Sequence, residues 1–208
     1  LRGKFIVFEG IDGSGKTTYA KRLSAYLSSP EKEAHFTFEP TKYVIGSLIR
    51  KVITKEIVMN EQSIAALFAA DRLDHVQNLD YGMEQFLKKG HHVISDRYYI
   101  SSYAYHVPYV SLPWVVDANS IAASLLKADI TFFIDISVDT SLKRIANNRT
   151  QFDLFESRER ITQVRENYYN ALEVVKTSEN VIVIDGEQSM EDVYAQILYH
   201  VDQLIHRI

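Results

Sequence analysis

An α/β fold, with a five-stranded parallel sheet flanked by helices on both faces, is the architecture this sequence predicts. Two observations carry the prediction. Five short runs rich in β-branched and aromatic residues (4–8, 34–38, 92–95, 130–136 and 181–184) alternate with longer stretches of helical pattern. Strands separated in this way by helices pair in parallel, and the helices cover the sheet. In addition, a glycine-rich segment joins the first run to the first helical stretch, an arrangement that opens many folds of this class. Repeats, low-complexity tracts and linker-like segments are missing from the sequence, so residues 1–208 read as a single domain.

Taken in order, the run at 4–8 ends at Glu9 and passes directly into Gly10-Ile11-Asp12-Gly13-Ser14-Gly15-Lys16-Thr17, followed by Thr18 and a helical stretch to residue 27. This fits the phosphate-loop pattern G-x-x-x-x-G-K-[ST] at every fixed position and in the strand–loop–helix context it requires. The glycines let the backbone turn several N–H groups inward, and the helix N-terminus adds its dipole. Lys16 is placed to reach the outer phosphates of a nucleoside triphosphate, and the Thr17 hydroxyl to ligate Mg²⁺. After the run at 34–38 come helical patterns at 44–55 and 61–88, the second opened by Asn60 with Ser63 and stopped by Gly90.

The run at 92–95 leads into Ser95-Asp96-Arg97-Tyr98, which puts Asp96 and Arg97 at the carboxyl end of a strand. Ligands bind outside those strand ends in open parallel sheets. Asp96 there can hold Mg²⁺ through water and Arg97 can clamp a phosphate, although a structural Asp–Arg pair explains the same residues. The tyrosine-rich segment 98–106 suits core packing with a turn, or a pocket for a sugar and base, with His106 a hydrogen-bonding group. Helical patterns follow at 112–126, at 140–147 after Asp139, at 157–177, and at 190–206, the last opened by Ser189 with Asp192 three later.

Two further constellations stand out. Phe68 and Arg72 are four apart on one helical face, where a ring can stack on a base while a guanidinium donates to its carbonyl edge; taken alone, a core Phe beside a solvated Arg is the plainer reading. Arg144 and Arg149 lie at and beyond the end of a helical run, next to the weakly patterned stretch 147–155. A mobile lid over about 145–157 would let an arginine neutralise charge on a phosphoryl group in flight; a solvated charged loop is the plain alternative.

The composition narrows the classes. Cysteine is absent, which removes disulfides, thiolate catalysis and cysteine-ligated zinc. A formal net charge of −4 gives no reason to expect nucleic-acid binding. No apolar stretch approaches the roughly 20 residues that cross a bilayer, and the first strand begins too early for a signal peptide. A cytoplasmic protein is expected. The Asn-Lys-x-Asp motif of a GTPase switch and the glycine-rich signature of transporter ATPases are both missing.

The ordered set of motifs resembles the thymidylate kinase family over essentially the whole chain. It comprises Glu9 to Thr18, Glu39-Pro40-Thr41, Ile49-Arg50, Phe68 with Arg72, and Asp96-Arg97-Tyr98 leading to Ser101-Ser102 and Ala104-Tyr105. Ala128-Asp129, Lys143-Arg144-Ile145, Arg149, Phe155-Glu156 and Val164-Arg165-Glu166-Asn167-Tyr168 complete it. The resemblance implies a P-loop NTPase fold and transfer of the γ-phosphoryl of ATP to thymidine monophosphate (dTMP), with Mg²⁺ and as a homodimer. By the same resemblance Phe68 stacks on thymine, Arg72 bonds its O4, Arg97 holds the acceptor phosphate and Asp12 binds the sugar 3′-hydroxyl. Tyr105 crowds the sugar 2′ position, Ser102 and His106 touch the base, and Arg144 packs on adenine, with Glu39 and Arg50 also on the substrate side. Gly13 stands where one form of the family has a basic residue, so the resemblance is to the form with lid arginines and makes Arg149 the catalytic arginine beside Lys16 and Arg97. Four residues depart from the family's usual pattern: Phe38 for the Arg and Thr41-Lys42 for the Gly-Gly of many bacterial relatives, and His106 for Gln. A kinase for another nucleotide is the competing reading.

Overall fold

The computed structural model describes residues 2–30, 33–107, 109–148 and 157–206. The chain runs β1 (Phe5–Glu9), α1 (Lys16–Leu27), β2 (His35–Phe38), α2 (Val44–Ile53), α3 (Glu61–Gln77), α4 (Met83–Lys88) and β3 (Val93–Asp96). It continues through α5 (Tyr99–Tyr105), α6 (Leu112–Leu125), β4 (Ile130–Asp135), α7 (Val138–Asn148), α8 (Arg158–Val175), β5 (Val181–Asp185) and α9 (Met190–His206). The five strands form one sheet in the order β2-β3-β1-β4-β5. Every pairing is parallel, as predicted, with Phe8 opposite Asp96 on one side and Phe132 on the other.

All of β1 is buried, and its side chains alternate between two cores, as the period of two along a strand demands. Phe5 and Val7 enter one core with Met83, Tyr98, Val115, Phe133 and Tyr168. Ile6 and Phe8 enter the other with Tyr19, Leu23, Val193 and Ile197. A strand buried on both faces gives a continuous apolar run rather than an alternating one. Because β2 and β3 lie on one side of β1 and β4 and β5 on the other, the connections diverge at its carboxyl end. Such a divergence opens a crevice for a ligand.

Two local expectations need correction and a third is made specific. The pattern at 61–88 is two helices, not one. Asn78 leaves the helical conformation with ψ 134, and its side-chain Oδ1 accepts the Asp80 N–H at 3.0 Å, closing a turn that separates α3 from α4. In the tyrosine-rich segment, read as core packing with a turn or as a pocket lining, residues 99–105 form a helix that does both: Tyr99 to Ala104 are buried, and Ser102 and Tyr105 line a cavity. And α7 begins one residue before Asp139, with Ser137 Oγ accepting the Thr140 N–H at 3.1 Å as its cap. The other starts hold: Asn60 Oδ1 accepts from Ser63 N–H at 2.8 Å, and Ser189 Oγ from Asp192 N–H at 3.2 Å.

Candidate functional site

The loop from Gly10 to Gly15 has the shape its glycines predict, with φ of 148°, 77° and 90° at Gly10, Gly13 and Gly15. At Gly13 a Cβ would lie 2.9 Å from the Ser141 carbonyl oxygen, so α7 packs directly on the loop. Gly15 sits at the N-cap of α1 with no side-chain cap, which leaves the helix N-terminus facing the loop's concavity. Lys16 and Thr17 open that helix and Thr18 follows. The Lys16 ammonium is 3.2 Å from the Ile11 carbonyl oxygen and 3.6 Å from Asp12 Oδ1. Burial lowers its pKa, as does the charge of Arg97, while Asp12, Asp96 and Glu9 pull it back up.

Asp96 closes β3 beside β1, and its Oδ2 accepts a hydrogen bond from the Thr17 hydroxyl. Its Oδ1 is buried without a hydrogen-bond partner among the described residues, as is Ser14 Oγ. Arg97 follows in the left-handed region at φ 76°, its N–H donating to the Phe8 carbonyl at 2.9 Å. That turn aims the guanidinium back across the strand ends. Nη2 donates to Asp12 Oδ1 at 2.6 Å and to Tyr105 Oη at 3.0 Å. Nη1 donates to Ser101 Oγ at 3.0 Å and Tyr168 Oη at 3.1 Å.

A cavity of about 580 Å³ opens beside this cluster. Asp12, Glu39, Phe68, Arg72, Arg97, Ser102, Tyr105 and His106, eight of the nine residues expected on the substrate side, line it. The ninth, Arg50, stands behind the turn at 39–41, donating to the Pro40 carbonyl at 2.7 Å and to the Thr41 carbonyl. Phe68 and His106 face each other across 4.9 Å. Arg72 is not the solvated arginine of the plainer reading. It is 1% exposed, with Nε on Glu39 Oε2 at 2.8 Å, Nη1 on Ser102 Oγ at 2.9 Å and on Asn119 Oδ1, and Nη2 on the Tyr98 carbonyl at 3.2 Å. Glu39 Oε1 in turn lies 3.0 Å from His75 Nδ1. Burial and the charges of Arg72 and Arg160 push the His106 pKa down to about 3, so its ring is neutral.

Arg144, on α7, reaches the other side of the loop, with Nη1 3.5 Å from the Gly13 carbonyl oxygen and Nη2 donating to the Gly186 carbonyl at 3.1 Å. Arg149 and residues 149–156 of the expected lid lie outside the described residues. Arg160 and Asn119 join the site without a signal in the sequence, because α8 and α6 pack onto α5 and α3 only in the tertiary fold. The sequence motifs include Glu9 and Tyr168 but give them no role. Among the described residues no three His, Asp or Glu side chains are grouped to hold a metal ion, and no helix is long and apolar enough to cross a membrane.

The site thus pairs a glycine-rich loop at a helix N-terminus with an adjacent cavity carrying a ring and a guanidinium on one helix face. A family model described as "Thymidylate kinase" matches residues 8–197. A Pyrococcus horikoshii protein named "probable thymidylate kinase" is 37% identical over 206 residues, covering 95% of both chains. A Methanocaldococcus jannaschii protein of the same name is 35% identical over 204 residues, 97% of each. A third, from Thermococcus kodakarensis, is 36% identical over 210 residues, 97% of this chain and 98% of its own.

Proposed function

The chain belongs to the thymidylate kinase family, and from that premise we propose that ATP binds on the loop at 10–17 while dTMP fills the cavity between Phe68 and Arg97. The enzyme moves the γ-phosphoryl group of ATP onto dTMP, giving ADP and the diphosphate. One observation carries the assignment of the site: the cavity that holds Phe68, Arg72 and Tyr105 shares Asp12 and Arg97 with the phosphate loop's edge, so two nucleotides would meet there phosphate to phosphate.

Phosphoryl transfer asks mainly for positioning and charge neutralisation. The acceptor phosphate is a nucleophile as it stands, so no strong general base is needed. In this reading Phe68 stacks on thymine, and Arg72, positioned by Glu39, Ser102, Asn119 and the Tyr98 carbonyl, exchanges one of these partners for O4 when the base binds. Neutral His106 can accept the base N3–H. Asp12 takes the 3′-hydroxyl, Tyr105 crowds C2′, and Arg97 holds the acceptor phosphate. On the donor side the loop N–H groups and Lys16 hold the β- and γ-phosphates, and Arg144 packs against adenine.

Thr17 Oγ1 and Asp96 suit Mg²⁺, since the buried Asp96 Oδ1 has no partner among the described residues and a hydroxyl stands at its other oxygen. Both are oxygen ligands, and one carboxylate with a hydroxyl, phosphates and water is a usual magnesium set. Bound there, the ion would neutralise phosphate charge. The form of the family with lid arginines is supported at Gly13, where a φ of 77° and the 2.9 Å approach of Ser141 leave a side chain strained. Arg149 then supplies the positive charge from a lid over 145–157 of a single-domain protein. The proposal extends to a homodimer in the cytoplasm, with no nucleic-acid or membrane partner.

A coupled ATP-consumption assay across nucleoside monophosphates tests the site. With its donors facing O4, Arg72 would confront the amino group of a cytosine, and an unpaired buried donor costs on the order of 10²-fold or more. Thymidine monophosphate should lead, deoxyuridine monophosphate follow, and deoxycytidine monophosphate trail, with Arg72→Ala narrowing the gap. A preference for cytidine or purine monophosphates would overturn the assignment.

A further inference from the structure

Glu9, the last residue of β1, has no part in the roles assigned above, yet it is fully buried and accepts four hydrogen bonds. Its Oε1 accepts from the backbone N–H of Tyr98 at 2.8 Å and of Ser101 at 3.2 Å. Its Oε2 accepts from Ser101 Oγ at 2.5 Å and from Tyr168 Oη at 3.0 Å. Those two hydroxyls are the ones that receive Arg97 Nη1, at 3.0 Å and 3.1 Å. They also stand 2.9 Å from each other.

A guanidinium has donors and no acceptor, whereas a hydroxyl has one proton and two lone pairs. To receive Arg97, each hydroxyl must turn a lone pair toward it and send its own proton elsewhere. A carboxylate, which only accepts, fixes that choice: at Oε2 it draws both protons to itself. Burial pushes the Glu9 carboxyl above its ordinary value of 4.5, and the Ser101 hydrogen bond, the Arg97 charge and the contacts with Tyr98 and Tyr168 act against that rise. Four converging donors favour its ionised form.

We propose that Glu9 is a positioning residue for the acceptor phosphate, acting through Arg97: it orients the Ser101 and Tyr168 hydroxyls so that their lone pairs hold the guanidinium in place. Oε1 does a separate job, tying the first turn of α5 to the end of β1. Glu9→Gln separates the two. The backbone N–H groups can only donate, so they keep the amide oxygen at Oε1, and the amide NH₂ falls at Oε2. There it donates where two hydroxyl protons were accepted, and at least one hydroxyl must turn its proton away from Glu9 and toward Arg97.

The inference rests on Arg97 binding the acceptor phosphate, and a double-variant cycle distinguishes the two claims. Steady-state kinetics are measured for Glu9→Gln, Tyr168→Phe, Arg97→Ala and the two doubles that include Arg97→Ala, with dTMP and ATP varied in turn. Loss of a charge-assisted hydrogen bond predicts about a tenfold fall in kcat/KM for dTMP in Glu9→Gln, and a similar or smaller fall in Tyr168→Phe. KM for ATP should stay near wild type, a split that a general loosening of the fold would not give. In the Arg97→Ala background neither substitution should lower kcat/KM further. Losses that multiply in that background would overturn the inference, and so would single variants with wild-type KM and kcat for dTMP. If Glu9→Gln fails to fold, the Tyr168→Phe cycle decides. Wild-type kcat/KM in Arg97→Ala would instead remove the premise, and it would be seen without reference to Glu9.

Discussion

His106 shows how much one side chain's surroundings matter. Its ring is almost fully enclosed beside Phe68, and burial with the charges of Arg72 and Arg160 lowers its pKa from 6.5 to about 3. The unfolded chain takes up this proton near pH 6.5, whereas the folded protein refuses it down to about pH 3. Stability from this group is therefore complete above pH 6.5 and is lost as pH falls, by at most about 1.4 kcal/mol per pH unit. Urea midpoints at pH 7 and pH 5 should drop for the wild type and drop less for His106→Gln; equal drops would exclude the effect. Arg149 is the second residue with a sharp expectation. A charge delivered only to the transferring phosphoryl lowers kcat without weakening acceptor binding when removed. Arg149→Ala should cut kcat by on the order of 10² or more while KM for dTMP stays within a few-fold. An alanine scan of Arg144, Arg149 and Arg158 with equal losses at each would argue against a single catalytic arginine.

At the level of elements, the turn at 39–41 links the cavity wall to α2. Thr41 is fastened to Asp71 through its N–H at 2.7 Å and its hydroxyl at 2.6 Å, and Glu39 holds Arg72 at 2.6 Å. The first turn of α2 lies directly on this turn: a Cβ at Gly46 would meet the Thr41 carbonyl oxygen at 1.9 Å and its nitrogen at 2.5 Å. Both atoms are backbone, so no side-chain rotation relieves the clash. Gly46→Ala should destabilise the protein by about 2 kcal/mol or more, seen as a lower Tm, and raise KM for dTMP more than KM for ATP. An unchanged Tm would mean that α2 moves freely against the turn. The same scale explains which helices were legible. α3 declares itself through its Asn60 cap and its length, whereas α5 is buried at six of its seven positions, Tyr99 to Ala104, and shows no polar face for periodicity to reveal.

In the molecule as a whole, α6 turns an apolar stripe outward. Trp114, Ile121 and Leu125 of α6 are 40%, 58% and 38% exposed, and their spacing of seven and four puts them on one stripe, while Val115, Asn119 and Ala122 face inward. An apolar stripe of this kind suits the homodimer proposed above. Ile121→Glu should shift the sedimenting species from dimer to monomer with the secondary structure retained; a wild type that sediments as a monomer would remove the proposal. By itself the sequence determined the sheet and the glycine-rich loop between β1 and α1. Alternating strands and helices leave few ways to bury both faces of a parallel sheet, and a phosphate loop is written in consecutive residues. It also picked out Phe68 with Arg72 and Asp96 with Arg97, because helix periodicity and strand ends fix such neighbours locally. Only the tertiary structure decided what those residues touch. Arg72 meets Glu39, Ser102 and Asn119 from three other segments, 33, 30 and 47 positions away. Arg97 is framed by Asp12 and Tyr168, 85 positions before it and 71 after. Contacts of that range depend on how helices pack over the sheet, and no local pattern in the chain encodes them.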